Sequence, residues 1–479
     1  MSKSQLRPIY LSVLMALPAA GSLTMSNNAY AQLEEIVVTA RARVESLQDV
    51  PATITAFSES QIENMGVQRA EDFIYMTPGV TFVNTVESGD SSLSIRGISG
   101  ARDGETNFAF IIDGILHTNP SAFNREYPDL TQIEVLKGPQ GALYGRSASG
   151  GAVIMSTRRP SDVVEGKIKV SAAENSTYTG MATIAGPLGE NVAGRLTVDH
   201  RTTDGFQKNV YLNDDVVDDF EETGISARLV FDPSDTLSID TKLRYSEIEA
   251  AAISFNAAFE IPFLVGEFDG LQDFGVDPEA ASIDVNDFDF VYSPNVDPEN
   301  EQETIEFSIK VDKELDIGTL TAWALYSDQE QYFLADGTSG AFNFYEGKDH
   351  CQQTAADRSL FLGDGTPTQQ PTFNLDGDAK FLPPYSPTTC DGYQYQERNQ
   401  EDFSAQIQLT SNADGALRWQ VGAYYLNIER TVGVAQLEDD NRKSLPTSFV
   451  NELTDALVLD DFTTDVYAVF GSINYDTTD

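Results

Sequence analysis

Ser147 stands in the run GRSASGG, residues 145–151, where a serine among glycines could occupy a tight strand-to-helix turn and act as an acyl-transfer nucleophile. The pattern G-x-S-x-G is broken there, because Ala148 is followed by Ser149 and not by glycine. No G-x-x-x-x-G-K-[ST] run offers backbone amides and a lysine to a phosphate chain. The 3 histidines, His117, His200 and His350, are scattered, and none forms a metal-ligand pair at helical spacing. Cys351 and Cys390 share one long polar stretch and can either close a disulfide or stand as two thiols. A paired-carboxylate hydrolase site could hide among the 75 acidic residues, since only a fold brings such pairs together. Nothing here amounts to a catalytic constellation. The residues do not support an enzyme, and they require no cofactor and no metal.

Charges inside apolar runs are more informative. Arg96 interrupts LSIRGIS (93–99) and Asp113 interrupts FAFIIDGIL (108–116). Glu134, Lys137 and Arg146 do the same in IEVLKGPQGALYGRSASGGAVIMSTRRP (133–160). A charge in such a place needs a partner. Gly138, Gly141, Gly145, Gly150 and Gly151 punctuate the last run, so its backbone can turn tightly and approach its neighbours.

The elements that must hold these residues form a small mixed α/β unit over residues 45–160. Val50 to Phe57 is strand-like. Ser58 and Gln61 then fit a capping box, with a helix stop at Gly66. A second helical segment, RAEDFIYMTPGV (69–80), ends at Pro78-Gly79, and short strands follow.

Both flanks of this unit differ from it. Residues 1–31 carry Lys3 and Arg7, an apolar run from Ile9 to Leu23, and Ala29-Tyr30-Ala31, the three parts of a secretory signal peptide. Export predicts cleavage after Ala31. The net charge of −45 excludes nucleic acid as a partner, because phosphates would be repelled. Residues 32–160 contribute −6 and residues 161–479 contribute −41, so two regions of different character meet near Pro160.

From Glu165 the pattern alternates with period two. In LSIDTKLRY (237–245), Leu237, Ile239, Leu243 and Tyr245 share one face, with Ser238, Asp240, Lys242 and Arg244 on the other. TIEFSIKV (304–311), FSAQIQLTS (403–411) and RWQVGAYYLNIE (418–429) repeat the rule. Long loops at 250–300 and 328–398 alternate with short turns at DPSD (232–235) and NADG (412–415). Such a pattern describes an outer-membrane barrel, the one β architecture that leaves no unpaired amides in lipid.

The three runs 93–99, 108–116 and 133–160, in that order behind an export signal, resemble the plug domain of TonB-dependent outer-membrane receptors. The matching positions are Arg96, Gly97, Asp113, Gly114, Glu134, Lys137, Gly138, Pro139, Tyr144, Gly145, Arg146, Gly150 and Gly151. The resemblance extends to EEIVVTA, where Glu34, Glu35, Ile36, Val37, Val38, Thr39 and Ala40 match the TonB box that engages TonB on the periplasmic side. It implies a mainly β fold: signal peptide 1–31, TonB-box segment 32–44, α/β plug 45–160 and antiparallel transmembrane barrel 161–479. About ten strands are legible where such barrels have roughly 22, and the sequence stops at INYDTTD, so the wall reads as incomplete. Arg96 and Arg146 are expected to pair either with acids of the inner wall or within the plug. Gln406 and Gln408 stand where family members often carry Glu and Arg, which removes that charged contact. The implied function is active import of a scarce solute, a ferric siderophore first, with cobalamin or an oligosaccharide behind it. A passive porin or adhesin is the rival class. The implied partners are TonB with its inner-membrane energising complex, outer-membrane lipid and an iron chelate, with the receptor a monomer.

Overall fold

The computed structural model describes residues 37–38, 45–48, 50, 52–84, 91–100, 106–252, 292, 294–337, 345, 348–351, 353, 389–390, 392–412, 416–439 and 454–475. The signal segment 1–31 and all of 34–40 except Val37 and Val38 lie outside these residues.

An N-terminal globule comes first. Its β1 (Val37–Val38) pairs antiparallel with β2 (Glu45–Ser46). β3 (Thr53–Ser58) runs directly into α1 (Glu59–Met65). Gln61 accepts a hydrogen bond from the Ser58 N–H at 2.9 Å, and Gly66 ends the helix at φ 71°. α2 (Ala70–Ile74) stops before the predicted Pro78-Gly79 boundary. There Met76 N–H bonds the Phe73 carbonyl, and the Thr77 hydroxyl takes the same oxygen at 2.8 Å, tightening the last turn out of α geometry. β4 (Val80–Asn84), β5 (Ser91–Ile95) and β6 (Ile98–Ser99) make a small antiparallel sheet. β7 (Phe108–Ile112), β8 (Ile115–His117), β9 (Leu130–Lys137) and β10 (Gly151–Thr157) join β3 in a five-stranded sheet ordered β3-β9-β10-β7-β8, with α3 (Gly141–Tyr144) between β9 and β10. Only the β10–β7 pair is parallel. A Cβ on Gly151 would lie 2.1 Å from the Leu136 carbonyl oxygen, so glycine there lets β10 close on β9.

Phe123 is the hub of the globule's core. Its ring lies 4.8 Å from Phe108 and 5.1 Å from Phe110 in edge contacts, with Phe73 and Phe82 beyond. Every residue of β7 is buried. Phe108, Phe110 and Ile112 face that core, whereas Ala109 and Ile111 face away from it into a second cluster shared with the rest of the chain.

Residues 158–164 lead from β10 to a ten-stranded wall. Its strands are β11 (Glu165–Ala172), β12 (Tyr178–Gly189), β13 (Val192–Thr203), β14 (Phe220–Ser234) and β15 (Leu237–Ala250), then β16 (Glu299–Leu315), β17 (Gly318–Asp336), β18 (Tyr393–Ser411), β19 (Leu417–Leu437) and β20 (Thr454–Tyr475). Each is antiparallel to the next, and the sheet is open, with β11 and β20 at its edges. Along β16 the inward row Asn300, Gln302, Thr304, Glu306 and Ser308 is buried. Ile305 and Phe307 point outward, 43% and 47% exposed, and Leu243, Phe403 and Val469 extend the outward apolar band. Apolar-out, polar-in alternation is the inverse of a water-soluble sheet, and it suits hydrocarbon outside.

Two boundaries differ from the sequence reading. The segment 328–398, expected as loop, gives its first nine residues to β17 and its last six to β18, since polar residues such as Gln329 and Gln331 continue the pleat without an apolar rhythm. Asp232 to Ser234 belong to β14, which leaves Asp235-Thr236 as the turn. Residues 413–415 of NADG lie outside the described residues.

Candidate functional site

The seam between globule and wall is where the chain's buried charges converge. β7 and β8 are joined by Asp113 (φ 51°) and Gly114 (φ 85°), the two positive-φ positions of a tight hairpin. That turn thrusts the Asp113 carboxylate outward. It accepts from Thr157 N–H at 2.9 Å and from the Thr157 hydroxyl at 2.5 Å, and it pairs with Lys242 of β15 and, at 3.8 Å, Arg228 of β14. Burial alone would raise this carboxyl, but the two cations outweigh it and hold it at about 2. Arg228 also grips Asp240 at 2.6 Å and the carbonyls of Thr157 and Arg158, so it braces the hairpin and the exit of β10 together.

A second group sits between β8 and β9. Arg125, 2% exposed, pairs with Glu306 of β16, and His117 Nδ1 lies 3.3 Å from the same carboxylate. Burial opposes the Arg125 charge, but Glu306 raises the guanidinium above its ordinary value. Glu126 donates its backbone N–H to Glu222 of β14 at 3.2 Å, while its side chain lies 3.5 Å from Arg201 and 3.8 Å from Arg69. Burial, then the Glu222 charge, pushes the Glu126 carboxyl up to about 7. Asp129 takes Arg195 of β13 at 3.1 Å and the Thr197 hydroxyl at 2.6 Å. A cavity of about 110 Å³ opens along this side, lined by Arg125, Asp129, Ser226, Lys242, Arg244 and Ser308 among others.

Opposite lies a dry contact. Ile111, Leu116 and Ile154 of the globule pack with Trp323, Leu325, Leu426 and Ile428 of β17 and β19. β8 packs on β17, and α3 packs on β20. Polar contacts flank it, with the Thr118 hydroxyl on Asp402 at 2.6 Å and Asn119 on Gln329 at 2.8 Å.

Among the motif residues, the structure brings Asp113 to the wall. Arg96 and Gly97 form the exposed β5–β6 turn, at φ 55° and 79°, and no wall acid forms a salt bridge with Arg96 among the described residues. Lys137 donates to the Pro78 carbonyl at 2.6 Å, and burial together with the Arg96 charge lowers its amine. Glu134 is buried at 1% exposure in β9, and Arg146 lies half-buried after α3. Gly138 donates its backbone N–H to the Gly150 carbonyl at 2.9 Å, which closes the loop carrying Pro139, Tyr144 and Gly145. Gln406 donates its side-chain amide to Gln408 at 3.1 Å, a neutral contact at the positions where the sequence reading expects no charged pair. Sequence reading missed Arg125, Glu126 and Asp129, although FNREYPDL (123–130) sets three charges beside buried aromatics, which is the signal that singled out Asp113. Lys242 and Glu306 were read only as members of a polar strand face.

At the short-turn end of the wall, Glu45 lies 3.9 Å from Arg418, the second residue of β19. Val38 is fully buried against the dry cluster, and the Gln132 side chain donates to the Val37 carbonyl at 2.7 Å. At the long-loop end, Cys351 and Cys390 are joined as a disulfide, both buried.

Comparison with known proteins agrees with this architecture. Residues 46–152 match the TonB-dependent receptor plug domain. The pesticin receptor of Yersinia enterocolitica is 26% identical over 211 residues, 44% of this chain and 31% of that protein. The ferrioxamine receptor of the same organism is 32% identical over 166 residues, 33% of this chain and 23% of the relative. The chain thus spans about a third or less of the length of these curated relatives. In fold it is similar to the ferric yersiniabactin uptake receptor of Yersinia pestis, with a TM-score of 0.54 and 15% identity over 88% of this chain and 61% of that one. The ferripyoverdine receptor of Pseudomonas aeruginosa gives a TM-score of 0.63 at 15% identity, covering 92% and 52% of the two chains. Residues 46–152 are thus a TonB-dependent receptor plug domain, and in fold the plug with its inside-out wall is similar to outer-membrane receptors of that kind.

Proposed function

We propose that this chain imports a scarce solute, an iron chelate of the siderophore type, across the outer membrane, drawing energy from TonB. The observation that carries the reading is the plug seated against the wall by separable charged contacts, with its N-terminal strand at the short-turn end. Residues 34–40 would add a strand to TonB, since backbone hydrogen bonds along an extended segment share a pulling load. TonB and its inner-membrane complex then pull on the plug while the wall stays fixed in lipid. The relatives named for ferrioxamine and for ferric yersiniabactin support an iron chelate as the cargo. The protein acts as a transporter, not a catalyst, and works as a monomer.

The test is deletion of residues 34–40 in cells starved of iron. Uptake of radiolabelled iron as ferric ferrioxamine, ferric yersiniabactin or ferripyoverdine should be lost, while surface binding of the same chelate persists. Labelled cobalamin and an oligosaccharide form the remaining arms. Uptake that survives the deletion, or collapse of the proton gradient, rules the coupling out.

A further inference from the structure

The two sides of the seam are built from different chemistry, and they resist separation differently. Against β13–β16 the plug is held by ion pairs such as Asp113–Lys242, Arg125–Glu306 and Asp129–Arg195. Burying those charges removed their hydration, so parting them into water returns it, and the net cost of opening is small. Against β17–β20 the contact is Leu116 and Ile154 on Trp323, Leu325 and Leu426. Opening that side exposes apolar area to water, at a cost proportional to the area and with nothing returned. The charged side also already holds open space, which reaches the apolar cluster at Leu325.

We propose that the solute passes along the charged seam between the plug and β13–β16, while the apolar face against β17–β20 stays shut and serves as the pivot. This rests on the import reading and adds to it a route. The residues that border the gap include the polar Ser226, Lys242, Arg244 and Ser308 beside the apolar Ile112, Ile115 and Leu325, so the route offers charged and hydrogen-bonding groups to a solute with oxygen ligands on its surface.

The experiment reads cysteine accessibility in intact cells with a charged, membrane-impermeant maleimide, and it requires no knowledge of the cargo. Ser308→Cys and Ser226→Cys report the charged side. Leu116→Cys and Leu426→Cys report the apolar side, the second of each pair standing in if the first fails to fold. Labelling of the serine positions should rise when TonB is energised and fall to its basal level on deletion of 34–40, with the leucine positions protected throughout. The proposal is overturned if the leucine positions label with the same dependence, as they would if withdrawal of Val38 opened the apolar side first. It is equally overturned if the serine positions ignore coupling. Failure of the import reading looks different: iron uptake then survives the deletion, whatever the labelling.

Discussion

β7 of the plug and β16 of the wall are both buried strands, yet their side chains are arranged in opposite ways. β7 hides five apolar residues in succession, three against the Phe123 core and two against the dry seam. β16 hides only its polar row and turns Ile305 and Phe307 outward. The plug folds as a water-soluble domain would, and the wall folds for a solvent of hydrocarbon. Where the two meet, neither rule suffices, and ion pairs take over on one side while apolar contact serves on the other.

That contrast can be broken at one region at a time. The largest effect is expected from Phe123→Ala, which should cost the plug about 3–5 kcal/mol by opening a cavity at its aromatic hub. Hydrogen exchange should then quicken across residues 52–157 and leave β11–β20 unchanged; equal loss in both would mean that plug and wall fold as one unit. Arg125→Met leaves the buried Glu306 without its guanidinium, at about 3 kcal/mol, and the double change with Glu306→Met should recover most of it in thermal melts. On the outer face, Phe307→Arg should cost about 2 kcal/mol for vesicle-embedded protein, with little change in plug exchange.

The smallest effect is that of pH, and its two parts have opposite signs. The Asp113 carboxyl is lowered from 3.8 to about 2, so the stability it contributes is present above pH 3.8 and is lost as pH falls towards 2. The Glu126 carboxyl is raised from 4.5 to about 7, so its contribution is complete below pH 4.5 and is lost as pH rises through 7. Melting temperature should therefore peak near pH 4–5, and Glu126→Gln should flatten the alkaline limb alone.

Much of the wall is legible in the sequence because strand period and lipid both act residue by residue. LSIDTKLRY and TIEFSIKV declare their two faces before any neighbour is known, and their observed partners Leu243 and Phe307 sit side by side on the outer face. FAFIIDGIL (108–116) reads instead as a single strand with a charge inside it, whereas the structure turns at Asp113-Gly114 and pairs its two halves as a hairpin. What could not be read is which charge meets which. Arg125 and Glu306 lie 181 residues apart, and nothing local to either names the other. β17 was cut short in the sequence reading for a related reason: above the lipid its rows are Gln, Glu and Tyr, and an apolar rhythm no longer marks the pleat.

Residues 158–164 impose a limit that no contact energy sets. Seven residues at full stretch reach about 25 Å, and Arg228 already clasps the carbonyls of Thr157 and Arg158 at their start. The plug is on a leash. β10 cannot travel farther than that from β11 without unravelling, so every placement of the plug that keeps both strands lies within that reach of the same wall.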